Sequence, residues 1–386
     1  MRGERVAERR SWQRPRTERL GAFVLGLVAV GATGAAWAAG GFADAEPYPV
    51  AASPQFIADG DFDGDGRTDL AVSTCPGGES LVSILLGKRH GGFQDSFDET
   101  GHDCGGVIVA RRFDGDRKID LVAAEQNVGD IAFLKGKGNG HFADPVVSDP
   151  DLFSGSGLAA GDFNRDGKLD VAMSDYLGAV GISLGDGHGE FGPAKPYETD
   201  AKPAGVIARD LDRDGRVDLA TANEDGNSVS VLKGRRGGKF ATQTSYLAGS
   251  HPYGLASADF NEDRRPDLVA STRIGTEGVD VLIQKANGSF KPGVPVGTGG
   301  DSLAVVTTDV NRDGHSDVAF TKASPNPNVV SVLRGRGDGT FRPQDDLSLE
   351  DGGSVGLVAK GFDADRRPDL AVAMGVGSIS ILLNQP

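Results

Sequence analysis

This chain has few aromatic side chains, almost no cysteine or tryptophan, and no run of basic residues, and each shortage excludes something. Aromatics make up 6% of the 386 residues whereas glycine contributes 58. That mixture favours many short strands and tight turns over long helices. No helical apolar period appears in any repeated segment, so helical repeats are excluded. Both tryptophans, Trp12 and Trp37, fall in the first 38 residues. The two cysteines, Cys75 and Cys104, have no redox-motif spacing. After residue 38 no basic run or aromatic-basic patch points to nucleic-acid binding.

The first 38 residues differ from the rest. Met1 to Arg19 carries seven Arg against Glu4, Glu8 and Glu18, and "LGAFVLGLVAVGATGAAWA" follows without a charge. A basic start, an apolar stretch and the close Ala36-Trp37-Ala38 read as a secretory signal over residues 1–38, cut after Ala38. The alternative is an uncleaved membrane anchor, because about 19 apolar residues just span a bilayer. Residues 39–386 then keep 33 basic and 52 acidic side chains, a balance of −19. Such a domain repels nucleic acid and anionic membrane. The expected location is secreted or cell-envelope, where a Cys75–Cys104 disulfide can form and persist.

Against this background one motif returns seven times. It runs "DFDGDGRTDL" from Asp61, "RFDGDRKIDL" from Arg112, "DFNRDGKLDV" from Asp162 and "DLDRDGRVDL" from Asp210. It continues as "DFNEDRRPDL" from Asp259, "DVNRDGHSDV" from Asp309 and "GFDADRRPDL" from Gly361, at spacings of 48 to 52 residues. A second motif keeps step, an alternating segment, a Gly-rich turn and a Phe, as in "SVSVLKGRRGGKF" ending at Phe240. That is a hairpin signature. Each unit therefore predicts four short strands, and seven such units predict an all-β, seven-bladed β-propeller over residues 39–386. The last unit stops after its third strand at "SISILLNQP", and the segment after Ala38 resembles the missing piece. Pairing the N-terminal strand around Phe42 with the last blade would close the ring and remove two open edges.

The acidic loops suit a hard cation. In D-x-[DN]-x-D-G-x-x-D, oxygens at positions 1, 3 and 5 can converge, the carbonyl of position 7 can add a ligand, and Asp at position 9 can close the shell. No His or Cys stands at a side-chain ligand position, which argues against zinc. An EF-hand needs Glu at position 12, where Val72 and Thr221 stand instead. The predicted calcium ligands are Asp61, Asp63, Asp65, Arg67 and Asp69 in the first copy, and Asp162, Asn164, Asp166, Lys168 and Asp170 in the third. They are Asp210, Asp212, Asp214, Arg216 and Asp218 in the fourth, and Asp309, Asn311, Asp313, His315 and Asp317 in the sixth, position 7 giving its carbonyl. The fifth copy, Asp259, Asn261, Asp263, Arg265 and Asp267, has Arg264 where Gly is expected and is the weaker site. In the second copy Arg112 replaces the first Asp, its guanidinium a stand-in for the ion, and in the seventh Gly361 offers no side chain. Neither is expected to bind, which leaves four to five Ca²⁺ ions.

The seven loops with their "G-x-G-x-F" hairpins resemble the FG-GAP/VCBS repeats, the propeller family that includes the head of integrin α subunits. That resemblance implies loops holding Ca²⁺ on one face and a ligand on the other. With no tryptophan in the repeats, a tryptophan-docked quinoprotein propeller is disfavoured. Shorter matches are discounted: "GISLG" (Gly181 to Gly185) fills a third-strand slot, Arg336-Gly337-Asp338 a repeated turn, and the six His do not assemble. "SHPYG" (Ser250 to Gly254) is the most distinctive loop on the ligand face. Cys75 and Cys104 fall on that face too, and a disulfide there would contribute about 3–4 kcal/mol. The expected function is an exported, monomeric, calcium-binding module for a protein or glycan ligand, active in binding or adhesion. The alternative is an extracellular hydrolase or lyase acting on polysaccharide or phosphoester; no catalytic residue is named.

Overall fold

Small and β-branched residues turn each repeat into four antiparallel strands. In the fourth unit these are Pro203–Arg209, Asp218–Asn223, Ser228–Leu232 and Thr244–Leu247. They pair in chain order. The second and third strands are buried along their whole length and the outer strand is largely exposed. Seven four-stranded sheets repeat this plan. The structure, a computed structural model, describes residues 41–385 apart from 79, 101–105, 125–128, 152–154, 276, 298–300, 323–327 and 350–351. The signal or anchor expected over residues 1–38 lies outside the described residues. Among those described, no helix is long and apolar enough to cross a membrane.

The first strands of successive blades touch one another, the seventh returning to the first, so the sheets form a seven-bladed β-propeller. The ring closes as the sequence predicts. Glu46–Pro49 is the outer strand of the last blade, with Glu46 opposite Ile381 and Pro49 opposite Ser378. Phe42 bridges Asn384, just as Phe93 bridges Gly87 in the first blade. One detail differs from expectation. The hairpin Phe makes an isolated bridge, or in the fourth blade a two-residue ladder of Lys239–Phe240 with Gly234–Arg235, and the outer strand begins a few residues later, as at Phe97 after Phe93.

The apolar core lies between blades rather than within them. Seven buried clusters occur, each shared by two neighbouring blades. The apolar residue at position 2 of each acidic loop packs on the hairpin Phe of the next blade. Phe62 meets Phe142 edge to face with ring centres 5.4 Å apart, and Phe362 meets Phe93 at the same distance. Phe113–Phe191, Phe163–Phe240 and Phe260–Phe341 repeat the contact. Such pairs add about 0.5–1.5 kcal/mol beyond area burial.

Two junctions lack the aromatic pair, because position 2 is Leu211 or Val310. There the next hairpin replaces its first glycine with an amide. Gln284 Nε2 donates to the Leu211 carbonyl at 2.8 Å, and Asn384 Nδ2 donates to the Val310 carbonyl. Elsewhere that glycine is obligatory: a Cβ on Gly87 would lie 2.4 Å from the Thr68 carbonyl oxygen. Gln284→Gly strands a buried carbonyl and is expected to lower unfolding free energy by about 2 kcal/mol in a denaturant titration. An unchanged midpoint would show that the amide contributes nothing.

Candidate metal centres and the opposite face

Each acidic loop is wound by its own carboxylates. Asp61 Oδ1 accepts from the Gly64 N–H at 2.8 Å and Oδ2 from Gly66 at 3.0 Å. Asp63 accepts from Asp65, and Asp65 from Arg67, at 3.1 and 2.9 Å. Around Asp162, Asp210, Asp259 and Asp309 the Oδ2 bond from position 6 recurs, and Oδ1 accepts from the N–H of position 5 instead of position 4. The winding needs left-handed backbone at two places. Position 6 has φ 84° at Gly66 and 67° at Arg264, so the fifth loop does carry the strain foreseen for it. Position 4 is left-handed as well, at Gly64 and Gly115 and also, without a glycine, at Arg165, Arg213, Glu262 and Arg312.

The Asp at position 9 has a task the sequence reading did not include. Its side chain is fully buried in all seven blades. In the first, Asp69 Oδ2 accepts from the Phe62 N–H at 2.7 Å and Oδ1 from the Gly87 N–H at 2.8 Å. The carboxylate thus ties the acidic loop to the hairpin of its own blade. Asp120, Asp170, Asp218, Asp267, Asp317 and Asp369 do the same. Burial outweighs these bonds and pushes Asp69, Asp170, Asp218, Asp267 and Asp317 up to about 6, and Asp369 to about 7.

Among the described residues, three loops bring three carboxylate oxygens within 4.8 Å of one another. Two are predicted sites, Asp61/Asp63/Asp69 and Asp210/Asp212/Asp218. The third is Asp114/Asp116/Asp120 in the second blade. There the stand-in cation differs from the one expected. Lys135 of the hairpin, not Arg112, contacts Asp114 and lies 3.4 Å from Asp116. Burial alone would raise the Asp114 carboxyl; the hydrogen bond from the Lys135 ammonium reverses the sign and holds it below its ordinary value. Lys233 occupies the same hairpin position in the fourth blade, 3.0 Å from Asp212 Oδ2. The first and third blades carry Leu86 and Leu184 at this position, so the alternation was visible in the letters although its meaning was not.

The remaining predicted ligands are placed as follows. Arg67, Arg216 and Arg265, named for their carbonyls, turn their guanidinium groups onto Asp65, Asp214 and Asp263. In the third and sixth loops Asn164 and Asn311 donate to Asp166 and Asp313, at 3.1 and 2.9 Å. The Lys168 N–H donates to Asp166 and the His315 N–H to Asp313. Asn261 accepts from the Asp263 N–H at 3.1 Å. Cys75 is disulfide-bonded, whereas Cys104 lies outside the described residues.

The turns between second and third strands lie on the other face. Buried Glu224 pairs with Lys202 at 2.9 Å and Arg273 at 2.8 Å. The Arg273 guanidinium lies 5.3 Å from the ring centre of Tyr253, which with Pro252 and Gly254 of the expected loop belongs to the strand Pro252–Ala258. Burial pushes the Tyr253 phenol up to about 12. Tyr253 also lines a cavity of about 340 Å³ with Phe56, Leu303 and Val355. On the same face Leu177, Ile274 and Val376, in the turns of the third, fifth and seventh blades, stand 75%, 52% and 66% exposed.

The raised carboxyls set a pH dependence. Their folded-state affinity for protons exceeds that of the unfolded chain, so their stabilisation is complete below the ordinary carboxylate range and lost as pH rises through about 6 to 7. Metal-free protein is therefore expected to melt at lower temperature at about pH 7.5 than at about pH 5, and calcium is expected to flatten or reverse that slope. Scanning calorimetry across this range, with and without chelator, checks both.

A model of the FG-GAP-like repeat matches residues 112–173, 210–270 and 309–372. Each match starts on position 1 of an acidic loop. Among solved structures, BBS1N in complex with ARL6DN is similar over 89% of this chain and 97% of that one, at 13% identity and a TM-score of 0.61. A lectin from Agrocybe aegerita that recognises non-reducing terminal N-acetylglucosamine is similar over 84% and 86%, at 18% identity and a TM-score of 0.56. At such identities the likeness is one of fold. No curated protein sequence matches. With three segments fitting the repeat model and seven blades built to one plan, the chain is an FG-GAP-repeat β-propeller.

Proposed function

We propose that this chain is an exported propeller, braced by calcium, that binds a protein or glycan through the face opposite its acidic loops. The observation that carries the metal is the convergence of Asp61, Asp63 and Asp69, and of Asp210, Asp212 and Asp218, within 4.8 Å. An all-oxygen donor set at this spacing fits a hard divalent cation that tolerates irregular geometry. The loops of the third, fifth and sixth blades, around Asp162, Asp259 and Asp309, offer similar donors with Asn at position 3. A bound ion would neutralise the carboxylates that burial now disfavours, bracing the blade ends rather than taking part in chemistry.

For the ligand, the support is the Tyr253 cavity and, on the same face, the exposed turn residues Leu177, Ile274 and Val376 of the third, fifth and seventh blades. A concave pocket lined by apolar and aromatic side chains with a few polar groups is the common form of a ligand site. Similar propellers bind a protein, ARL6DN, or a sugar, N-acetylglucosamine. A hydrolase or lyase has less support. Glu224 is neutralised by two cations, and a phenol pushed up to about 12 is no general base at neutral pH.

Two experiments separate these parts. Adding calcium to chelated protein is expected to raise the melting temperature, each filled site contributing about 2.7 kcal/mol at a hundred times its Kd. Indifference to chelator would refute the metal. On arrays of glycans and proteins, Leu177→Asp, Ile274→Asp and Val376→Asp together are expected to abolish capture at an unchanged melting temperature. Capture that survives the triple variant would move the ligand to another surface.

A further inference from the structure

The acidic-loop face carries a cavity of opposite character. About 670 Å³ in volume, it opens where the inner strands of the seventh, first and second blades end. Four cationic side chains line it, Arg67, Arg111, Arg112 and Lys360, against two carboxylates, Asp59 and Asp61. Most of these charges are engaged. Arg67 donates to the Gly87 carbonyl at 2.8 Å and pairs with Asp65. Lys360 lies 3.4 Å from Asp59, and Asp61 is held by the Gly64 and Gly66 N–H groups.

Arg111 and Arg112 are the exceptions. Both are exposed. Arg111 Nη1 reaches only the carbonyl of Ala110, at 2.9 Å, and among the described residues neither guanidinium has a carboxylate partner. Arg112 stands at position 1 of its loop, where five other blades have Asp. It is not needed as a counter-ion there, because Lys135 already serves Asp114 and Asp116. Two adjacent guanidinium groups are thus left facing a cavity in a chain of net charge −15. Distant carboxylates do little to cancel them, since salt screens charges beyond about 8 Å at physiological ionic strength.

We propose that this cavity is a binding site for an oxyanion, held by the paired forks of Arg111 and Arg112 with Lys360 as a third contact. Guanidinium groups bind carboxylate, sulfate and phosphate in two-point fashion, which an ammonium does not. The volume suits a small acidic sugar as well as a free inorganic anion. The site is on the far side of the ring from Tyr253 and does not rest on the calcium reading.

Calorimetric titration of the full chain with sodium glucuronate, glucose and sodium sulfate, at constant ionic strength, tests it. Glucuronate is expected to bind and glucose not, and Arg111→Gln with Arg112→Gln to weaken glucuronate roughly ten-fold or more. Lys360→Gln is expected to weaken it less. Arg209→Gln, at the same strand end in the fourth blade but outside the cavity, is expected to change nothing. Sulfate competing with glucuronate supports a shared oxyanion site, and sulfate binding alone supports it with the free anion as ligand. Glucose binding as well as glucuronate, no binding by either anion, or a double variant that binds like the wild type would each overturn the proposal. Melting curves of the variants, expected to match the wild type, separate lost binding from lost folding.

Discussion

A single buried carboxylate per blade governs the acidic-loop end of this propeller. Asp69 and its six counterparts each hold one N–H of the acidic loop and one of the hairpin, inside the protein and away from water. A charge so placed is tolerated only because both oxygens are engaged, and even then it is kept at a cost visible in its raised proton affinity. Everything outward of it depends on this bond pair. It fixes where the loop starts, which way positions 1, 3 and 5 turn, and how the hairpin lies over the blade.

From that anchor the structure propagates around the ring. The N–H of position 2 is held by the buried Asp, so its side chain is aimed at the next blade. In five junctions it meets a Phe edge to face. In the other two a smaller side chain is offset by an amide reaching across. Blade ends and blade interfaces are therefore one mechanical system: what orders a loop also sets the angle to its neighbour. Interfaces made this way account for a core that is divided among seven clusters rather than gathered at a centre.

How much of this was legible in the letters follows from what repeats. The period, the four strands, the closing segment at Phe42 and the repeated acidic sets announced themselves because seven copies share one physical problem. The repeated Asp at position 9 was visible too, but spacing cannot distinguish an ion ligand from a carboxylate bound to backbone amides, and its burial is a tertiary fact. Lys135 and Lys233 escaped notice because the side chain that meets the loop comes from a hairpin some twenty residues later. Gln284 and Asn384 looked like lapses in a glycine pattern, and they are compensations for Leu211 and Val310. The Glu224, Arg273 and Tyr253 group was least readable. It joins two turns of neighbouring blades to the strand Pro252–Ala258, and only Tyr253 stood in a stretch that the sequence marked out.

Closure by Glu46–Pro49 on Ser378–Leu382 has a consequence for how the molecule is made. The strand that completes the ring is made before the inner strands of all seven blades, and the strand that receives it after them. Blades can assemble one after another during synthesis, yet both edges remain unpaired until Ser378–Leu382 has been made, and bringing such distant segments together carries a loop-closure entropy that favours late docking. Until then two strand edges stay open to pairing with another chain. Closure of the ring thus waits on all seven repeats.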